Sequence, residues 1–239
     1  MTFEDSLFIN ESFETAGAVP PELMDAAWAA GWRHFGCHFF RYSLQFDEIT
    51  AGLQHIRPLR IDLTRHFFSR SQKRVLARNE DVDWEIVPAR ADAEVQAMFQ
   101  RHKTRFKANP PGFLSDYLHA GSPATLPCEC LELRASVGGG LVAASFLAVG
   151  ATAASSIYGV FDLDHSRRSL GTLTMLREIE HCRALGLRHY YPGYATLESS
   201  AYDYKKRFRA LQWLDWRSGE WIDCDGAAMD GPPATDRVI

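Results

Sequence analysis

The sequence predicts an α+β protein, a mixed sheet flanked by helices, preceded by a small N-terminal α/β module. Three observations predict it. From residue 84 onward, strand and helix patterns follow in the order β-α-α-β-β-β-α-β-α-β. Three consecutive strand patterns, 128–137, 141–149 and 153–162, are separated by Gly138-Gly139-Gly140 and by Gly150, which are turn signals. One strong helical pattern, 170–185, stops at Gly186 and lies between two strands. The chain has 239 residues, 46% of them hydrophobic and 12% aromatic, enough to bury a core of one large or two small domains.

The elements are justified in chain order. Pro20-Pro21 opens a helix over 22–30, and Gly31 ends it. Residues 32–42 (WRHFGCHFFRY) are aromatic-rich and read as a strand, and 54–63 as a second, with Pro58 placing it at an edge or a bulge. Ser69 offers an N-cap for a basic helix over 70–78. Residues 79–83 are a polar break and set a boundary between a module over 1–80 and a domain over 81–225. A strand at 84–88 is followed by a helix over 91–107, where Val95, Met98, Phe99, His102 and Phe106 recur at helical spacing. Pro110-Pro111 stops it, and a short helix covers 112–119. After the three central strands and the long helix come a strand at 187–194, a short helix at 200–208, and closing strands at 212–216 and 220–223. The tail, 226–239, is small and polar and is expected to be disordered.

Charge and cysteine usage narrow the function classes. The net charge of −4 excludes a protein coated in positive potential. Three windows nevertheless hold basic residues and no acid: 64–78, 100–114 and 204–214, together 13 of the 26 Lys and Arg. Such segregation can build a local nucleic-acid surface. Five scattered cysteines make a disulfide framework improbable, and Cys128-Glu129-Cys130 is too tight for a metal knuckle and suits one face of a strand. The N-terminus has no signal-peptide pattern and no run is long enough to span a membrane, so a soluble cytoplasmic protein is expected, with no membrane partner and no metal. No G-x-S-x-G, H-E-x-x-H or P-loop is present.

The start of the 170–185 helix is the most informative point. First-turn N–H groups lack intrahelical partners and the helix dipole is positive there. Arg168, Ser169, Leu170, Gly171 and Thr172 are therefore candidates to hold a phosphate or carboxylate. The element order resembles the N-acetyltransferase (GNAT) fold, in which that helix start holds the acyl donor and the following strand splays away to open a cleft. Acetyl-CoA users carry R/Q-x-x-G-x-G/A at this point. Here Leu173 stands in the last place, which argues against coenzyme A.

SIYGVFDLDHSRRSLGTLTMLREIEHCRALGL followed by YYPGY is similar to the signature region of arginyl-tRNA–protein transferases and their bacterial aspartate/glutamate leucyltransferase relatives. Gly31-Trp32-Arg33-His34-Phe35-Gly36, the stretch 57–62 (RPLRID) and Ser69-Arg70-Ser71-Gln72-Lys73-Arg74 resemble further family segments in the family's order. The resemblance implies transfer of arginine or leucine from charged tRNA to the N-terminal amine of an acceptor protein, in an N-degron route. It implies charged tRNA and an acceptor N-terminus as partners, and leaves the oligomeric state open. Alternatives are an acyl-CoA-dependent N-acyltransferase and a non-catalytic peptide- or RNA-binding relative. Family members carry N-terminal cysteines linked to an iron–sulfur cluster. This chain has only Cys37 before Cys128, so no cluster and no other cofactor are expected.

The donor is an activated ester, so the reaction needs alignment, a proton acceptor and oxyanion stabilisation rather than an enzyme nucleophile. Tyr158, Asp162, Tyr191 and Tyr194 are the catalytic candidates. Tyr190, Glu198 and Tyr204 are candidates for binding the acceptor. Alternation puts Tyr190 and Tyr194 on one strand face, unless Pro192-Gly193 makes a bulge. Arg70, Lys73 and Arg74 share one helix face, and with Lys205, Lys206 and Arg209 are the tRNA-binding candidates, with Phe67, Phe68 and Phe208 as neighbouring aromatics.

Overall fold

In the computed structural model, residues 7–47, 51–106, 110–200 and 203–224 are described. The tail expected to be disordered lies outside them.

The first segment is built around prolines and glycines. Helix α1 (Pro21–Ala29) follows strand β1 (Asn10–Glu14), with proline in its first turn. Gly31 ends it at φ +83, packed so closely on Leu214 and Trp216 that a Cβ would lie 2.7–2.8 Å from their side chains. The strand expected over 32–42 is two strands, β2 (Arg33–Phe35) and β3 (His38–Tyr42), because Gly36 turns the chain at φ +50. With β1 they make a three-stranded sheet in the order β1-β3-β2. Strands β4 (Leu44–Asp47) and β5 (Gly52–Asp62) follow. β1 and β4 were not foreseen; β1 is exposed throughout and β4 has no buried residue, so neither carries an alternating pattern.

Helix α2 (Arg70–Arg78) is capped as expected. Ser69 accepts from the Gln72 N–H and Gln72 from the Ser69 N–H, a capping box. Strand β6 (Asp83–Pro88) leads to α3 (Ala93–His102), which starts later than its apolar spacing suggests because Asp92 caps Val95. The expected helices at 112–119 and 200–208 are short 3-10 turns, Leu114–Asp116 and Asp203–Arg207. Strands β7 (Cys130–Val137), β8 (Gly140–Val149) and β9 (Ala153–Phe161), helix α4 (Leu170–Ala184), and strands β10 (His189–Thr196), β11 (Leu211–Leu214) and β12 (Trp221–Asp223) complete the chain.

The main sheet runs β12-β11-β5-β10-β9-β8-β7-β6, with β4 on β5. Only β9 and β10, joined through α4, pair in parallel among the described strands. Helices α1 and α3 pack on one face through Met24, Trp28, Val95, Met98 and Phe99 against Phe146 and Val160. Helices α4 and α2 cover the other through Met175, Leu176, Ile179 and Val75. Strand β5, from before residue 80, lies between β10 and β11 in the sheet that the later strands build. Pro58 sits opposite Tyr194, beside the register shift in β10 and between the β5 segments that pair with β4 and with β11.

Candidate active site

The site is a splay between β9 and β10. The two strands pair only at His189–Tyr191 against Ala153–Ser155. Past that point both strands bulge. The β8–β9 register shifts at Ile157, and the β5–β10 register shifts between Tyr190 and Gly193. Gly193 holds φ +98, a conformation that strains any other residue.

Arg33, at the start of β2, fills the wedge. Its Nη2 donates to the Ser156 carbonyl at 3.0 Å and to that of Ile157 at 3.4 Å, satisfying oxygens the parting strands leave unpaired. Its Nη1 is buried without a hydrogen-bond partner, and burial lowers its pKa from the ordinary arginine value. Lys205 lies alongside, its Nζ donating to the Tyr194 carbonyl at 3.5 Å. Burial, with Arg33 beside it, brings the Lys205 ammonium down to about 7. From α4, Glu178 reaches up beneath the splay and accepts from the Tyr190 hydroxyl at 2.5 Å. Burial raises the Glu178 carboxyl to about 7, against the pull of Tyr190 and Arg33.

The tyrosines separate. Tyr190 is fully buried on the α4 side and its hydroxyl is taken by Glu178, so it does not meet an acceptor. Tyr191 faces the other side, among Trp28 and Trp221, with Arg60 as its polar partner. The bulge breaks the alternation, and Tyr194 leaves the face of Tyr190 to donate to the Gly31 carbonyl at 2.6 Å. Tyr158 stacks on Tyr117 at 4.0 Å and stays half-buried on β9. Asp162 caps the turn after β9 by accepting from the Asp164 N–H.

Several other candidates are occupied. Arg168 makes two parallel bonds to Asp81, both 2.8 Å, and so ties α4's start to the loop after α2. Leu170 is buried, and the ring of Phe161 lies against Gly171. Ser169 and Thr172 are half-buried there. Leu173 is fully buried in the core, so its bulk does not face a ligand and does not argue against coenzyme A. Glu198 accepts from both the backbone and the ring of His55, which pins the loop after β10 to β5. Tyr204 packs against the α4-side core. Lys206 is paired with Asp203 at 2.6 Å and only 6% exposed, so it is not an RNA contact.

The remaining cations do converge. Arg70 and Lys73 from α2 and Arg209 from the segment before β11 line one groove of about 500 Å³ with Phe67 and Phe68. The Arg209 guanidinium lies 5.9 Å from the Phe67 ring centre, and Phe67 is exposed. Arg74 is exposed on the same helix. Phe208 is buried. Of the window 100–114, the described residues lie with α3 on the opposite face of the sheet and do not line this groove. Arg33 and Glu178 were not singled out from the sequence; a lone arginine and a helical glutamate carry no local sign of where they end.

Among the described residues, no three His, Cys, Asp or Glu side chains come together as a metal site, and no helix is long and apolar enough to cross a membrane. The description "Arginine-tRNA-protein transferase, C terminus" matches residues 88–215. The chain is 33% identical to the aspartate/glutamate leucyltransferase of Stenotrophomonas maltophilia (strain R551-3), over 87% of this chain and 82% of that one. It is 28% identical to that of Marinobacter nauticus, over 85% and 83%. Among solved structures it is similar to L-PGS from Bacillus licheniformis, at 10% identity, a TM-score of 0.49, and 67% and 59% coverage. With more than half its length matched and a relative one-third identical across most of both chains, this chain belongs to the arginine-tRNA-protein transferase family.

Proposed function

We propose that the chain moves an aminoacyl group, arginine or leucine, from a charged tRNA to the N-terminal amine of an acceptor protein, marking it in an N-degron route. The observation that carries this reading is the β9–β10 splay, which lies within the matched segment and holds two cations, Arg33 and Lys205, at its apex. The groove of Arg70, Lys73, Arg209 and Phe67 supports the RNA part: it offers charges for phosphates and an exposed ring for a base.

In the reaction the acceptor's neutral amine attacks the ester carbonyl. A C–N bond forms, the C–O bond to the terminal ribose breaks, and the amine's proton passes to the departing oxygen. In this reading Tyr158, half-buried on β9, bonds the reacting carbonyl, and Asp162 takes the first proton of the incoming ammonium to leave the neutral amine. At the start of α4 only Ser169 and Thr172 stay half-exposed to meet the donor, since Leu170 is buried and Phe161 lies against Gly171, and Arg168 holds this helix start through Asp81 rather than binding donor itself. Tyr191 and Tyr194 shape the cleft through their packing and the Gly31 bond. No iron–sulfur cluster enters this reading. One cysteine precedes Cys128, and burial pushes the Cys128 thiol up to about 12, so the thiolate that a cluster requires is disfavoured.

The test is direct. The purified chain is incubated with radiolabelled arginyl- and leucyl-tRNA and peptides beginning with Asp, Glu or a neutral residue. Transfer of label to peptide identifies donor and acceptor together. Absence of transfer in every combination, with thermal stabilisation by acetyl-CoA, would replace this reading with acyl-CoA chemistry; absence of both would leave a binding protein.

A further inference from the structure

Helix α4 carries one carboxyl on an otherwise apolar buried side. Leu173, Leu176, Ile179 and Cys182 line that side, and Glu178 stands among them with no exposure to solvent. A carboxyl costs stability in such a place unless hydrogen bonds are arranged around it. Three strands arrange them. From β10, Tyr190 donates to Oε2 at 2.5 Å. From β8 and β9, Ser145 and Ser156 turn their hydroxyls to the same carboxyl and draw its pKa down against the larger effect of burial. Ser156 also faces the Tyr190 hydroxyl. Arg33 and Lys205 are the cations in the field of Glu178, and Cys130 and Cys182 the thiols. These partners sit at the root of the splay. The last rung between β9 and β10 pairs Ser155 with Tyr191. Tyr190 lies one residue before that rung and Ser156 one residue after it, where the strands part. The Ser156 carbonyl is the one that Arg33 holds at 3.0 Å. The root is thus gripped twice, by Arg33 on its backbone and by Glu178 on its side chains. Neutral up to about pH 7, the Glu178 carboxyl has one oxygen to accept and one O–H to donate.

We propose that Glu178 is a positioning residue for the transfer: by bridging Tyr190 to Ser145 and Ser156 it fixes how far β9 and β10 part, and so where Tyr158 on β9 stands against the bound ester. Glu178 touches no substrate and acts through the strands. The inference rests on the aminoacyl-transfer reading. A displacement of about 1 Å at the reacting atoms forfeits roughly 100-fold of the gain from alignment. The groove offered to tRNA is lined by other residues, from Phe67 to Lys73 and Arg209, so loosening the splay leaves its charges in place.

The experiment measures kcat and KM for Tyr190→Phe, Glu178→Met and Glu178→Gln beside the wild-type chain, with radiolabelled leucyl- or arginyl-tRNA and an acceptor peptide. Tyr190→Phe is expected to lower kcat by about 10-fold and Glu178→Met by about 100-fold, with the KM for tRNA and for peptide within about twofold of wild type. Glu178→Gln, whose amide also accepts at one atom and donates at the other, is expected to recover most of the rate that Glu178→Met loses. Losses that vanish when rates are scaled to the folded fraction, a rise in KM at unchanged kcat, or a Gln variant as slow as the Met variant would overturn the inference. If Glu178→Met fails to fold by circular dichroism, Tyr190→Phe, which removes a single oxygen, decides. If the wild-type chain transfers to no peptide, the transfer reading fails separately, and amide hydrogen exchange decides whether Glu178 holds the splay. Exchange at residues 155–158 and 190–193 about 5-fold faster in Tyr190→Phe, with the rest of the sheet unchanged, sustains it. Exchange equal to wild type, or faster everywhere, ends it.

Discussion

Glu178 shows what one residue can do when water is removed. It is fully buried, and burial holds its carboxyl near 7, above the ordinary 4.5. The folded chain therefore keeps a proton that the unfolded chain releases. The stabilisation this gives is complete below about pH 4.5 and is lost as pH rises through about 7. Tyr190, Arg33 and Lys205 surround the group and hold the loss in check. Glu178→Gln removes the titration. Relative to this variant, the wild-type chain is expected to lose about 3 kcal/mol between pH 4.5 and 8. Urea unfolding of both proteins across that range checks it, and parallel pH curves would dismiss it. None of this was legible in the sequence. Glu178 falls in an ordinary helical run, Arg33 precedes it by more than half the chain, and Lys205 read as one charge in a basic strip.

At the scale of elements, helix α2 was legible and its use can be separated from its stability. Its N-cap, its length and its basic face all follow from local spacing, which the fold did not override. Ser69→Ala removes one side of the capping box and is expected to cost about 1 kcal/mol in chemical unfolding, without changing RNA affinity at fixed salt. Arg70→Ala, Lys73→Ala and Arg209→Ala do the reverse. Each is expected to lower the slope of log affinity against log salt for tRNA by about 1, read by filter binding at several salt concentrations. Lys206→Ala serves as the contrast. It breaks the Asp203 pair and should lower thermal stability while leaving that slope in place. The 3-10 turns at Leu114–Asp116 and Asp203–Arg207 read as helices because composition marks a turn of helix without fixing how far it continues.

For the molecule as a whole, the sequence showed the strand order after residue 84 but not the place of what precedes it. Strand β5 carries an apolar pattern wherever it is put, and nothing local says that its neighbours are β10 and β11. The boundary expected near residue 80 falls in the polar turn between α2 and β6, while β5 from before it lies inside the sheet built after it. A fragment over 81–224 lacks the strand on which β10 and β11 both pair. It is expected to show no cooperative thermal transition, whereas the whole chain unfolds in one step. A sharp calorimetric peak from the fragment would contradict this.

The place of β5 also fixes a schedule. Leu59 and Ile61 emerge from the ribosome early, while their partners in β10 and β11 are still to be translated. At typical elongation rates the wait is roughly ten seconds. Through that interval a greasy, half-satisfied stretch beyond the reach of β4, which pairs only with Gly52–His55, needs a chaperone or transient cover until β10 and β11 arrive to flank it.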